Sequence, residues 1–271
     1  MRTFLITGVG GGLGRAFARA ALDAGHRVVG TVRSDDARAA FEKLSPDRAI
    51  GRILSLGADS DSAASALIDS IGPIDVLITN AGYGLEGTVE ESSMAELRAQ
   101  FEVNVFGAVA LMKAVLPGMR ERRSGHIVAV TSVAGLIPAP TLSFYSGSKF
   151  ALEGITRSLA AEVARFGIRV TAVEPGAFRT DWSGRSMRRA ARAIPDYDLV
   201  DRISAARAAF NGNQPGDPAK AAAAVLRLTE MDDPPDHLLL GSDAFAGVSD
   251  ALRDFRTAMD RHHDLTASTD R

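Results

Sequence analysis

The chain has 271 residues, of which 46% are hydrophobic and 24% charged, the composition of an ordinary globular protein with room for a large buried core. A formal net charge of −2 gives no electrostatic reason to expect a nucleic acid or an anionic membrane as partner. The chain has no cysteine, which excludes disulfides, a thiolate nucleophile and thiolate metal sites.

Short apolar segments alternate along the chain with amphipathic ones. The predicted strands are 4–6, 27–32, 50–56, 74–78, 126–131, 169–173 and 237–240. The predicted helices are 15–24, 34–43, 63–71, 94–122 with an interruption at Pro117-Gly118, 144–165, 217–228 and 248–259. Strands that are apolar on both faces and separated by helices form a parallel sheet covered on both sides. Right-handed crossovers then predict a doubly wound, Rossmann-like α/β fold with about seven parallel strands.

Residues 1–260 are predicted to form a single domain, because no linker separates two cores. Residues 178–215 are rich in proline, glycine and arginine, and an irregular stretch of this length in a compact domain is typical of an active-site lid. Residues 261–271 are predicted to be a polar, frayed tail. The first apolar run is too short for a signal peptide and no later run is expected to span a bilayer, so the expected location is cytoplasmic.

A glycine-rich turn, Thr7-Gly8-Val9-Gly10-Gly11-Gly12-Leu13-Gly14, lies between the first strand and the first helix. Glycines permit positive φ and let the backbone approach a ligand closely. The helix N-terminus directs free N–H groups and a positive dipole end at an anion. The strand before the turn and the helix after it favour a dinucleotide pyrophosphate site over a bare tight turn.

Tyr145 and Lys149 are four residues apart in a predicted helix, so the phenol and the ammonium share one helix face. A phenol has a pKa of about 10, poorly matched to proton transfer at neutral pH. A neighbouring ammonium favours the phenolate and is expected to lower that pKa. The pair therefore suggests proton transfer at a site where a bound nicotinamide transfers a hydride.

The glycine spacing, Thr-Gly-x-x-x-Gly-x-Gly, resembles that of the short-chain dehydrogenase/reductase family. The resemblance extends from Thr7 to about Met259 and includes further landmarks in the family's order. These are Asn80-Ala81-Gly82 after the fourth strand, Asn104, Ser132, Tyr145, Lys149, Pro175-Gly176 and Thr180. It implies an NAD(P)-dependent oxidoreductase that acts on the CH–OH group of an alcohol or on the matching carbonyl.

The resemblance also implies the role of each site residue. Tyr145 is the general acid/base, Lys149 lowers its pKa and binds the nicotinamide ribose, Ser132 bonds the substrate oxygen, and Asn104 holds a relay water. Taken singly, each of these residues has an ordinary structural interpretation. The implied cofactor contacts are Thr7, Gly8, Gly12, Leu13, Gly14, Arg33, Asp59, Asn80, Ala81, Gly82, Tyr145, Lys149, Pro175, Gly176 and Thr180.

The end of the second strand indicates which cofactor is used. Val32 stands where NAD-dependent proteins carry an acidic residue for the adenosine ribose, and Arg33 follows it. A guanidinium grips a phosphate through two hydrogen bonds, so NADP is preferred and NAD remains open. Gly57 replaces the family's aspartate at the adenine pocket, which leaves Asp59 or backbone groups to hold the adenine.

The partners follow from the same reasoning. The expected substrate is a small carbonyl or alcohol compound, hydrophobic if Phe178, Trp182, Met187 and Tyr197 line its pocket. The resemblance implies a homodimer or homotetramer. No metal is expected, because no histidine has carboxylates at ligand spacing. The arginines of 185–192 are interpreted as the exposed face of a lid helix, with attraction of an acidic group as the alternative.

Two other functions stay open at this point. One is a regulator that binds the dinucleotide without turnover, although such proteins can lose the Tyr/Lys pair that this chain keeps. The other is an epimerase or dehydratase on the same fold, whose relatives generally carry a larger substrate region.

Overall fold

The computed structural model of the chain describes residues 1–270. The strands are β1 (Thr3–Thr7), β2 (Arg27–Val32), β3 (Ala49–Ile53), β4 (Val76–Thr79), β5 (Gly84–Glu86), β6 (Gly125–Val130), β7 (Ile168–Pro175), β8 (Met187–Arg189) and β9 (His237–Leu240). The α-helices are α1 (Gly12–Asp23), α2 (Asp35–Glu42), α3 (Ser60–Ile71), α4 (Met94–Phe101), α5 (Gly107–Arg122), α6 (Ser143–Val163), α7 (Asp198–Phe210), α8 (Pro218–Leu228), α9 (Ser242–Arg261) and α10 (His263–Ala267).

Seven strands form one sheet in the order β3-β2-β1-β4-β6-β7-β9, and every neighbouring pair is parallel. The chain reverses its direction of travel across the sheet between β1 and β4, which is the topological switch point where doubly wound folds bind ligands. The predicted doubly wound, Rossmann-like α/β fold with seven parallel strands is confirmed.

Apolar side chains cover both faces of this sheet. One cluster joins β1, β2 and β4 to α1 and α8, with Phe17 and Val225 at its centre. The other joins the opposite face to α3, α5 and α6, where Leu111 and Leu152 are buried. Because helices pack on both faces, the carboxyl ends of the strands form one continuous edge of the sheet. The predicted site residues lie along this edge.

The predicted interruption of the fourth helical stretch at Pro117 is wrong. Helix α5 continues through Pro117, because Val115 and Met119 on either side are buried against the sheet and their packing outweighs the one missing N–H bond. The real irregularity is a π-helical turn, Glu102–Phe106, between α4 and α5. Such turns are frequent at functional sites.

The predicted lid is more regular than its composition suggests. It contains β8, which pairs in parallel with β5 as a separate two-stranded sheet, and the 13-residue helix α7. Pro195 occupies the first position of a 3₁₀ turn, Pro195–Tyr197, that leads into α7, so this proline begins helical structure rather than preventing it.

Among the other helix ends, the start of α8 agrees with expectation and the start of α9 differs most from it. The Asp217 side chain accepts from Ala219 N at 2.8 Å and Pro218 occupies the first turn of α8, as predicted. The helix predicted over 248–259 is α9, and it begins six residues earlier. The tail, expected to be frayed, forms α10 from exposed residues.

One helical stretch, Met94–Arg122, is long and apolar enough to cross a membrane by length and composition, contrary to the expectation from the sequence. Half of its most apolar window is buried inside the protein. A core helix covered by its own fold passes the same test, so this stretch carries no argument for a membrane.

Candidate active site

The glycine turn after β1 forms an open cradle at the N-terminus of α1. Gly8 has φ +74° and Gly12 has φ +54°, conformations that side-chain-bearing residues rarely adopt. A Cβ at Gly14 would overlap the Gly8 carbonyl oxygen and the Asn80 amide, whereas the space beside Gly10 is open. No side chain caps α1 and its first turn carries no acidic residue. The first N–H groups of the helix therefore fit a phosphate group.

Thr7 and Asn80 fasten this turn to the neighbouring strand. Thr7 Oγ1 accepts hydrogen bonds from the backbone N–H groups of Asn80 (2.9 Å) and Ala81 (2.8 Å), and the Asn80 amide donates to the Thr7 carbonyl at 2.9 Å. These bonds join the ends of β1 and β4 on the two sides of the switch point. Thr7, Gly8, Gly14, Asn80 and Ala81 are thus brought together, as the sequence predicts.

The four predicted catalytic residues also meet at the carboxyl edge of the sheet. Tyr145 and Lys149 lie on α6, Ser132 follows β6, and Asn104 lies in the π turn. All four are buried. Lys149 Nζ lies 6.0 Å from the centre of the Tyr145 ring and donates to the Val130 carbonyl at 2.9 Å.

The environment of Tyr145 raises its pKa rather than lowering it. Burial raises the pKa of the phenol to about 12, because the phenolate loses its hydration, and the hydrogen bond with Ser132 acts in the opposite direction. The lowering of this pKa by Lys149 stays a prediction, because the Lys149 charge is not among the causes of the shift. The ammonium is bonded to a backbone carbonyl, and the phenol is packed beneath Trp182, with ring centres 5.3 Å apart.

The pKa of Lys149 shifts in the opposite direction. Burial lowers the pKa of its ammonium to about 8, and the charge of Glu153, one turn further along α6, acts against this shift. Gly82 lies beside both Lys149 and Asn104: a Cβ at this position would be 3.0 Å from Asn104 Oδ1 and 3.8 Å from Lys149 Nζ. The glycine therefore lets the backbone after β4 approach the catalytic residues closely.

Asn104 uses its amide group to connect three parts of the site. Its Oδ1 accepts from Tyr83 N at 3.0 Å, and its Nδ2 donates to the Tyr83 carbonyl at 3.0 Å and to Ser148 Oγ at 3.1 Å. Both N–H donors are therefore engaged by protein atoms. A relay water at Asn104 stays a prediction. Such a water would have to bind an atom other than the Asn104 amide nitrogen, because both N–H groups are already used.

The lid covers the cleft with apolar side chains. Tyr145 and Met187 are buried together, with Trp182 packed against them. Thr180 and Arg185 reach the glycine turn: a Cβ on Gly12 would lie 3.7 Å from Thr180 Cβ, and one on Gly11 would lie 3.6 Å from the Arg185 guanidinium. Of the other two aromatic residues considered for the pocket, Phe178 packs in the main core and Tyr197 donates to Glu90 at the surface.

Two glutamates near β5 hold the lid, and sequence reasoning did not identify either. The Glu86 side chain is 1% exposed; it accepts from Arg189 Nε and from Ser204 Oγ, each at 3.0 Å, and it also pairs with Arg207. The cluster of lid arginines was the available signal, because so many cations close together need counterions, but the partner glutamates lie about a hundred residues earlier.

Glu91 holds the lid in the same manner. It accepts from the backbone N–H groups of Ala193 and Ile194, each at 2.9 Å, and pairs with Arg192. These backbone hydrogen bonds, with smaller contributions from Arg192 and Thr88, lower the pKa of the Glu91 carboxyl to about 2. The lid arginines are therefore mainly structural. Arg188 belongs with them, since it stacks on the Tyr83 ring at 4.5 Å.

The remaining predicted cofactor residues lie around the same edge. Leu13 packs against the core beneath the turn, and Pro175 ends β7. At Gly176 a Cβ would collide with the Asp243 carboxylate, which accepts from Ala177 N at 2.7 Å.

Arg33 and Asp59 are exposed, Arg33 directly after β2 and Asp59 before α3. In the loop that contains Asp59, the Ser60 hydroxyl satisfies the Gly57 carbonyl and N–H, at 2.6 and 2.8 Å. The Asp59 side chain has no hydrogen bond or salt bridge in the structure that marks it as an adenine ligand.

Comparison with known proteins agrees with this geometry. The family model described as short chain dehydrogenase matches residues 2–190. Oxidoreductase BOA17 of Botryotinia fuckeliana (strain B05.10) is 38% identical over 247 residues, which cover 90% of this chain and 90% of that protein. Retinol dehydrogenase 8 of Bos taurus is 38% identical over 244 residues, 83% of this chain and 78% of that protein. The chain belongs to the short-chain dehydrogenase family and is an oxidoreductase.

Solved structures of short-chain dehydrogenases are also similar to this chain. The crystal structure of a short-chain dehydrogenase from Streptomyces avermitilis superposes with a TM-score of 0.91 at 37% identity, and all of both chains is covered. Other structures that share the fold, at 22 to 26% identity, are complexes with NADP, NADPH or NAD. Nothing in these similarities favours the non-catalytic regulator or the epimerase or dehydratase.

Proposed function

We propose that this chain is an NADP-preferring carbonyl reductase whose proton donor is Tyr145. The observation that carries the proposal is the meeting of Ser132, Tyr145 and Lys149 beside a glycine cradle at the topological switch point. Structures of the same fold that hold NADP support the choice of cofactor. NADPH, when bound, supplies the hydride.

The cradle fits the cofactor's pyrophosphate. The turn leaves the first N–H groups of α1 without side-chain partners, and its glycines leave the space beside them open. The lid residues Thr180 and Arg185 extend over the turn from the other side. A phosphate held there receives backbone hydrogen bonds from one side and a cation from the other.

Tyr145 is suited to giving a proton to a carbonyl oxygen. With a pKa of about 12 the phenol holds its proton throughout the neutral range, so the proton is present for transfer, but this pKa must fall toward neutral pH for the transfer to be fast. Ser132 Oγ accepts from Ala134 N at 3.1 Å and its hydroxyl bonds the Tyr145 phenol, so a substrate oxygen placed between the two hydroxyl groups would receive a hydrogen bond from each. Charge that develops on that oxygen is stabilised by these two hydroxyl groups.

The substrate is proposed to be a hydrophobic aldehyde or ketone. Trp182, Met187 and Leu142 surround the Tyr145 ring, and a substrate in this place replaces their mutual contacts with its own. The similarity to retinol dehydrogenase 8, whose name gives an apolar alcohol as substrate, supports this class. The homo-oligomeric assembly and the cytoplasmic location remain predictions from sequence.

A Tyr145→Phe variant tests the proposal. It keeps the ring that packs on Trp182 and removes only the hydroxyl group. In an assay of NADPH oxidation with a panel of hydrophobic aldehydes and ketones, we expect kcat to fall by about 100-fold or more, the contribution of a positioned general acid. NADPH binding, followed by fluorescence, is expected to change little.

Tyr197→Phe is the matched control, because that hydroxyl bonds only Glu90 at the surface. It should keep the wild-type rate. A Tyr145→Phe enzyme within twofold of wild type would show that another group donates the proton. NADPH binding without turnover of any compound in the panel would favour the regulator.

A further inference from the structure

Two carboxylates and an imidazole form a cluster behind the proposed active site. Glu153 lies on α6 one turn beyond Lys149, Glu174 lies on β7, and His237 lies on β9. His237 Nδ1 is 2.6 Å from Glu174 Oε1 and 3.2 Å from Glu153 Oε1. One ligand atom from each residue lies within 4.8 Å of the other two. None of the three takes part in the proton transfer proposed above.

The carboxylates of this cluster have unused bonding capacity. Glu153 is 4% exposed, yet neither of its carboxylate oxygens has a hydrogen-bond partner, and Glu174 Oε2 also has none. Within residues 1–270, the only group at salt-bridge distance from either carboxylate is His237. A buried carboxylate without donors is strongly unfavourable, because it has lost its hydration and gained nothing in exchange.

We propose that Glu153, Glu174 and His237 bind one divalent transition-metal ion of the Zn²⁺ type. Two carboxylate oxygens and one imidazole nitrogen suit zinc, whereas Mg²⁺ prefers oxygen ligands alone. Ligand atoms of a tetrahedral zinc site are about 3.3 Å apart, so the 2.6 and 3.2 Å separations require a side-chain adjustment below about 1 Å. His237 is 36% exposed, which leaves a fourth position open to water.

Such an ion would be structural. It would join the edge strand β9 to β7 and to α6, the helix that bears Tyr145 and Lys149. The sequence predicts no metal because its histidines lack carboxylates at ligand spacing, but these three ligands come from elements far apart in the chain. Parallel pairing of β7 with β9 and packing of α6 on β7 bring them together.

Calorimetric titration of the metal-free full-length protein with ZnCl₂ tests this site. We expect one ion per chain and a rise in Tm with added ZnCl₂, since the ion binds the folded state. Glu153→Gln keeps the side-chain volume and removes the charge, and it should weaken Zn²⁺ binding at least tenfold, the minimum effect of altering even an outer-shell partner. His237→Asn, on the more exposed ligand, should do the same without disturbing α6.

Two controls separate this site from other zinc ligands. Glu162→Gln removes an exposed carboxylate from the same helix and should leave binding unchanged. Joint replacement of His262 and His263 by alanine removes the exposed tail histidines and should also leave it unchanged. The proposal is overturned if no Zn²⁺ binds, if Glu153→Gln and His237→Asn both bind as wild type, or if binding disappears with the tail histidines. Because calorimetry needs no substrate, the result is independent of whether the reductase proposal holds.

Discussion

Burial shifts the pKa values of Tyr145 and Lys149 in opposite directions. The phenol becomes charged when it loses its proton, whereas the ammonium becomes neutral. The phenol pKa rises to about 12 and the ammonium pKa falls to about 8, each toward its uncharged form. The sequence predicts which side chains meet here, because helix spacing places both on one face. The direction of the phenol's shift was not predictable, because it depends on how completely the fold buries the ring, and part of the cover is Trp182 from a distant part of the chain.

Arg33 offers a test of cofactor choice at a single residue. It is exposed at the end of β2, while the nearby Asp35 is already paired with Arg38 at 2.7 Å and so competes little for it. We expect Arg33→Ala to weaken NADPH binding by about 10- to 100-fold, the loss of charge-assisted hydrogen bonds worth about 1.5–3 kcal/mol. NADH binding should change by less than threefold. Fluorescence titration with both cofactors measures the difference.

Arg38→Ala is the matched control for that experiment, since it removes a neighbouring guanidinium that the structure gives to Asp35. It should affect both cofactors slightly and equally. If Arg33→Ala loses NADPH and NADH affinity equally, Arg33 does not bind the 2′-phosphate of NADPH.

Among the elements, regular strands and helices were predictable and the lid was not. Short apolar runs marked β1, β2, β4 and β6 to within about two residues, because local hydrophobic periodicity and burial determine these strands. The β5–β8 pairing joins residues about a hundred positions apart. In a sequence, the buried Glu86 and the half-buried Glu91 that accompany this pairing look like surface charges. Composition alone therefore made the lid appear irregular.

The attachment of the lid depends on Glu86. Replacing it by glutamine removes the charge that Arg189 and Arg207 share and leaves the half-buried Arg207 without a counterion, which is strongly unfavourable. We expect trypsin to cut the lid arginines of Glu86→Gln at least tenfold faster than those of wild type, because cleavage follows local opening. Mass spectrometry of the early fragments identifies the cut sites.

The exposed neighbour Glu90 provides the comparison for this variant. Glu90→Gln removes a single contact, with the Tyr197 hydroxyl, and should change the cleavage rate by less than threefold. Identical cleavage of Glu86→Gln and wild type would mean that the β5–β8 hydrogen bonds alone hold the lid.

At the scale of the whole molecule, motifs in a fixed order along the sequence predicted the family and the sheet. They did not predict clusters of polar side chains that come from several strands. His126 is a second example besides the Glu153, Glu174 and His237 cluster. Thr171 Oγ1 donates to the Pro235 carbonyl at 2.9 Å, so His126 Nε2, 3.0 Å away, must donate to it. His126 Nδ1 then remains buried without a partner. No sequence pattern indicates such a tautomer.

His126 makes stability depend on pH. Burial lowers its pKa from 6.5 to about 4, so the unfolded chain binds the proton more readily. The free energy of unfolding should therefore fall by about 1.4 kcal/mol per unit as the pH drops from 6.5 toward 4, from this residue alone. Urea unfolding at pH 6.5, 5.5 and 4.5 measures it. A foldable His126→Gln variant should show a shallower slope, and His263→Gln, at an exposed position, should match wild type.

One segment of about ten residues, 180–189, lies over both halves of the proposed active site. Its Thr180 and Arg185 lie on the glycine turn, and its Trp182 lies on the phenol. Since these side chains belong to one continuous piece of backbone, lifting it uncovers the nucleotide and the reacting groups in the same motion. We therefore expect a substitution that restricts this segment to slow both coenzyme exchange and product departure.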